Sequence, residues 1–254
     1  MKKKEQKGKK RLSIRPNAVI AGCIAAAVLL FIGFYLLLIP LNPHDMSIWL
    51  LAIITIIVSV VVYKVAIVIL CASRGEKIKN VEITLNTPDA LAILSKIADE
   101  FQGALNIGAG TVITFRDLKQ VLERDVRFVL SPTGYTKEMI EYCHERKVTA
   151  IPAALTPSEI LTQFENGADI VKVFPANEFS KGYAKKVCEP LGNYPLMAVG
   201  GVNAETVKEY LDGGYQYVGT CWGLFKKQDV LEQNEAGMLR SVREFETNMQ
   251  RENG

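Results

Sequence analysis

The hydrophobic rhythm of the chain changes at about residue 80. Before that point two apolar runs dominate. Residues 18–40 are 23 positions without a charge, and thirteen of them are Leu, Ile, Val or Phe. Residues 48–70 are equally long, with sixteen such residues and one charge, Lys64. At ~1.5 Å per helical residue, either run reaches across a ~30 Å hydrocarbon core. The segment LNPHDMS between them holds two prolines and an asparagine, a tight reversal. The pattern predicts a transmembrane helical hairpin over 18–72, with Lys64 close enough to one end to snorkel toward headgroups.

After residue 80 the rhythm shortens. Runs rich in β-branched residues alternate with helix-compatible stretches: Val81–Leu85, Leu105–Ile107, Arg127–Leu130, Val148–Ile151, Asp169–Phe174, Leu196–Val199 and Gln216–Val218. Pro88 and Pro157 suit first-turn helix positions, and Thr114 and Asn203 suit caps. Repeated strand–helix units imply a parallel sheet with right-handed crossovers. The predicted fold class is α/β, a (β/α)8-type barrel over 80–254 with seven units counted, lacking its first β-α unit and preceded by the two spans. A helical segment near Val230–Met249 is a candidate cover for the gap.

Charge sharpens the picture. Residues 1–17 carry eight Lys/Arg and one Glu, while the whole chain has a net charge of only +3. The body is therefore acidic, which argues against a nucleic-acid partner. A basic tail, basic residues after the second run and none in the connecting loop predict a multi-pass protein of the plasma (inner) membrane. Both the N-terminus and the barrel would face the cytoplasm, with the lipid bilayer as a partner. Five cysteines without a CxxC pair exclude a disulfide scaffold, and two distant histidines argue against a histidine-built metal site.

In such barrels chemistry sits at the C-terminal strand ends. Two ionisable residues interrupt apolar strands there. Glu82 alternates with Val81 and Ile83; facing inward it would be desolvated and fit for acid/base work, facing outward it would be a surface glutamate. Lys172 lies between Val171 and Val173; inward it would be a desolvated nucleophile, outward a solvent-reaching lysine. Gly108-Ala109-Gly110-Thr111 allows close backbone approach. Gly200-Gly201 and Gly219-Thr220-Cys221 follow the last two strands, where phosphate sites are often built. Each glycine loop can equally be a structural turn.

Taken together, VEITLNTP, GAGTV, SP, IPAALTPSE, VKVFPA and AVGGVN resemble the 2-keto-3-deoxy-6-phosphogluconate (KDPG) aldolase family, in its order and spacing, over roughly residues 80–248. The resemblance implies a class I aldolase on a (β/α)8 barrel, commonly a trimer, with no cofactor and no metal. It implies that Lys172 is the Schiff-base lysine and Glu82 the proton shuttle. Thr111 would lie near the pyruvyl carboxylate, and Pro132 and Phe174 would line the pocket. Gly200, Gly201 and Gly219 would hold the phosphate, with Cys221 at a position often occupied by Ser. The implied substrate is a phosphorylated keto-acid sugar. Asn86 stands where some members carry a substrate-binding Arg, and Val199 replaces a common Thr; both are similar to the branch acting on the galactonate epimer. A second reading, an inactive membrane-anchored module for sugar-phosphate binding or assembly, draws on those substitutions and on the missing first unit.

Overall fold

The β-branched runs pair in chain order, all in parallel, because the helix between each pair returns the chain to the same edge. The computed structural model describes residues 77–101, 103–221 and 223–250. All of these lie in the second of two compact units, Met1–Ser59 and Val60–Gly254. The strands are β1 (Asn80–Thr84), β2 (Asn106–Gly110), β3 (Phe128–Leu130), β4 (Thr149–Ile151), β5 (Ala153–Ala154), β6 (Val171–Val173), β7 (Leu196–Val199) and β8 (Tyr217–Gly219). The helices are α1 (Ala90–Glu100), α2 (Phe115–Leu122), α3 (Lys137–Glu145), α4 (Pro157–Glu165), α5 (Tyr183–Leu191), α6 (Val207–Asp212), α7 (Lys227–Leu231) and α8 (Glu235–Asn248).

Two four-stranded sheets result, β1-β2-β3-β4 and β5-β6-β7-β8. Pro152 separates them, since proline has no N–H to give to a ladder. The chain remains extended through it: Ala153 N–H donates to Thr133 O on one side, and Pro152 O accepts from Lys172 N–H on the other. β4 and β5 thus form one stave, and the seven units read from the sequence are present. Among the described residues, β1 and β8 are the lateral edges of the wall.

Register sets two faces. Ile83, Ala109, Val129 and Ala150 align across β1–β4 and are all nearly inaccessible. Val173 and Ala198 continue that row on β6 and β7. Leu94, Leu118, Ile140 and Ile160 supply the helices' buried positions. Each such side chain contributes about 1.5–3 kcal/mol by leaving water.

Helix starts are chemically fixed. Thr114 and Thr156 each form a capping box, with Asp117 and Glu159 reaching back, and Pro157 occupies the first turn of α4. Pro88 does not open α1: the helix begins at Ala90 behind Asp89, which is left-handed and makes no side-chain cap. At the other end of the chain, α8 buries Met238, Val242 and Phe245, and its Glu246 carboxylate accepts from the Ile78 N–H at 2.7 Å, tying it to the lead-in of β1.

The two predicted membrane spans and the basic tail lie outside the described residues. Among those described, no helix is long and apolar enough to cross a membrane.

Candidate active site

Strand alternation decides where Lys172 points. Its neighbours Val171 and Val173 are fully buried on the opposite face of β6. The lysine itself is 6% exposed. Its Nζ lies 4.8 Å from the centroid of the Phe174 ring. Burial pushes the amine below its ordinary value, and the Glu82 charge opposes that shift.

Glu82 shares β1 with buried Ile83 and points the other way. Glu82 is an exposed residue of the edge strand β1, and its carboxylate lies against Gly110. A Cβ on Gly110 would coincide with Oε1. Burial raises the carboxyl's pKa, and the Lys172 charge opposes the rise. β1 and β6 are separated by the whole of the intervening wall, so their side chains act on one another across the lumen. Both ionisable groups therefore face inward, which settles the alternative left open by their sequence pattern.

The other predicted residues fall into three places. Pro132 and Phe174 line one cavity of about 470 Å³, with Thr133, Gly134, Ala153 and Ala154. The Phe174 ring joins this cavity to the lysine. Thr111 follows Gly110 at the end of β2 with φ 58°, a left-handed value that a β-branched residue rarely adopts. Gly200 and Gly201 follow β7 at φ 108° and 69°. Gly219 ends β8, where a Cβ would crowd Met197 and Val199 at about 3 Å. Asn86 and Cys221 are exposed, and no contact joins either to the lysine.

Sequence reasoning missed Gly110 as part of the site. The sequence reads this segment as a strand end open to ligand approach or as a turn, whereas Gly108 and Gly110 lie inside β2. The space their side chains would fill is taken by the Phe128 ring and the Glu82 carboxylate. No local signal distinguishes such a glycine from a turn glycine. Tyr210, Thr206 and Thr220, which hold the glycine loop after β7, were also missed.

A buried amine and a carboxyl of raised pKa on the same face of a parallel β/α wall define a class of protein, a barrel equipped for imine chemistry on a carbonyl compound. The comparison with known proteins narrows the class. The chain belongs to the KDPG and KHG aldolase family, whose profile matches residues 48–240. It is 28% identical over 168 residues to the 2-dehydro-3-deoxy-6-phosphogalactonate aldolase of Escherichia coli K12, covering 65% of this chain and 82% of that one. It is 32% identical over 148 residues to the 2-dehydro-3-deoxy-phosphogluconate aldolase of Pseudomonas aeruginosa, covering 57% of this chain and 66% of that one. A KDPG aldolase from Legionella pneumophila, solved with pyruvate captured as a covalent carbinolamine, superimposes with a TM-score of 0.60 at 26% identity, over 71% of this chain and 87% of that one.

These matches correct the membrane reading. The family match begins at residue 48 and so takes in the whole second apolar run. A hairpin needs both runs. The multi-pass inner-membrane localisation does not stand. Neither the bilayer as partner nor the loss of the first barrel unit is supported, which leaves the missing-unit ground for an inactive module without support.

Proposed function

We propose that this chain is a class I aldolase that cleaves a 2-keto-3-deoxy-6-phospho sugar acid to pyruvate and glyceraldehyde 3-phosphate. The observation that carries this reading is the pairing of Lys172 and Glu82 across the lumen, each biased by burial toward its neutral form. The neutral Lys172 amine attacks the C2 ketone; the Glu82 carboxylic acid protonates the carbinolamine hydroxyl, water leaves, and a protonated imine and the Glu82 carboxylate remain. That carboxylate then takes the proton of the C4 hydroxyl. The C3–C4 bond breaks, its electron pair moves into the imine, and the aldehyde leaves. The resulting enamine is protonated at C3, and water returns the amine and releases pyruvate. Electron demand is met within the covalent adduct.

Thr111 receives the pyruvyl carboxylate, and Pro132 and Phe174 enclose the carbon chain. Gly200, Gly201 and Gly219 take the phosphate, with Cys221 beside it. Asn86 and Val199 favour the galactonate epimer. The active assembly is a homo-oligomer, a trimer by resemblance; a monomeric mass for the active species in sedimentation would overturn that part.

Pyruvate release coupled to lactate dehydrogenase tests the reading. Turnover of one of the two epimeric substrates is expected, with loss of all activity in Lys172→Met. Turnover that survives Lys172→Met, or none on either epimer, would overturn it.

A further inference from the structure

Three consecutive carbonyls in the loop after β7 are each held by a side-chain hydroxyl. Tyr210 Oη donates to Gly200 O at 3.0 Å. Thr206 Oγ1 lies 2.8 Å from Gly201 O, with Asn203 Oδ1 at 3.0 Å a second acceptor for its single proton, and Thr220 Oγ1 donates to Val202 O at 2.8 Å. The donors come from α6, from the residue capping it and from the loop after β8. Tyr210 is wholly buried, so its hydroxyl cannot swing away.

The peptide bond is planar, so its C=O and N–H point in opposite directions. Fixing the carbonyls of Gly200, Gly201 and Val202 therefore fixes the N–H groups of Gly201, Val202 and Asn203. The Asn203 N–H is consumed by Thr206 Oγ1 at 3.1 Å. Among the described residues, the N–H groups of Gly201 and Val202 have no protein acceptor; Gly201 is exposed, whereas Val202 is only 3% exposed. A buried N–H without an acceptor, as at Val202, is uncommon. Successive N–H groups in left-handed backbone form a concavity suited to an anion. Gly200 is held against the neighbouring turn as well, since a Cβ there would lie 2.7 Å from Asn177 Oδ1.

We infer that Tyr210, Thr206 and Thr220 are positioning residues for the substrate's phosphate. They touch no substrate. Their hydroxyls clamp the loop from behind, so that the Gly201 and Val202 N–H groups are already aimed at the phosphate before it arrives. The ordering cost is met on folding rather than on binding. This inference rests on the aldolase reading for the identity of the anion, and the clamp itself is independent of the chemistry at Lys172.

Tyr210→Phe and Thr220→Val remove one hydroxyl each while keeping shape, and Thr220→Ser restores one. Steady-state kinetics on the phosphorylated keto-acid and on the same compound without its phosphate separate the roles. For Tyr210→Phe and Thr220→Val, KM for the phosphorylated substrate is expected to rise roughly five- to tenfold with kcat little changed. The kcat/KM for the unphosphorylated compound is expected to stay within about twofold, and Thr220→Ser to recover most of the loss. Equal losses on both substrates would overturn the inference, as would an unchanged KM for the phosphorylated one. Calorimetric titration with inorganic phosphate reads the clamp without any turnover. Weaker binding by Tyr210→Phe than by the unaltered protein supports it, and equal or no binding by both overturns it. Failure of the aldolase reading would show instead as an unaltered protein that binds phosphate but releases no pyruvate.

Discussion

Gly110 is as much a part of the proposed site as Glu82 and Lys172. It leaves the space into which the Glu82 carboxylate settles. Gly110→Ala forces that carboxylate aside, and a displacement of about 1 Å at a reacting group costs on the order of 100-fold. The expected outcome is a fall of that size in kcat for pyruvate release, with normal circular dichroism; an unchanged kcat would show that Glu82 has no fixed post. Lys172 gives a pH signature. Burial holds its amine below the ordinary 10.5, so more of it is neutral at a given pH than for a solvated lysine. The rate of pyruvate adduct formation should rise with pH through a midpoint below 10.5. The Glu82 charge raises the lysine's pKa, so Glu82→Gln should move the midpoint lower still. A midpoint at the ordinary value, or an upward move in the variant, contradicts a desolvated pair. Glu82 and Lys172 were legible in the sequence because ionisable side chains inside apolar strands are costly and conspicuous. Gly110 was not legible, because its reason is a carboxylate arriving from another strand.

Helix starts are where local chemistry spoke most clearly. Thr114, a cap in the sequence reading, and Thr156, which that reading marks only through Pro157, both form reciprocal capping boxes in the structure. Removing the α4 cap with Thr156→Ala costs about 1 kcal/mol. That corresponds to a fall of roughly 2–4 °C in Tm by differential scanning calorimetry. An unchanged Tm would mean that the capping box contributes nothing. Strand ends were harder to read. β2 runs on through glycines that resemble a turn, and Pro152 breaks a stave in two without breaking the wall. The Thr87-Pro88 pair looks like a helix start and is not, since the left-handed Asp89 takes the entry position of α1. Such choices depend on what packs against the segment, which a window of sequence does not contain.

At the scale of the whole molecule the unit count was legible among the described residues, and the membrane localisation read from the two apolar runs was not borne out. Hydrophobic run length reports burial and does not say whether lipid or protein does the burying. A family match that starts at residue 48 divides the N-terminal region. The described wall ends in two edges, β1 and β8, and an uncovered edge is an aggregation liability. Deleting residues 1–47, which precede the family match, should leave pyruvate release by the purified protein unchanged. Loss of pyruvate release in that truncation would mean that activity depends on more than the matched region.

Treatment with pyruvate and borohydride, followed by peptide mass mapping, tests the account most directly. Reduction of the imine leaves a stable adduct, and the account places that adduct on Lys172 alone and removes it in Lys172→Met. An unmodified Lys172 in folded protein, or an adduct on another lysine, would contradict it.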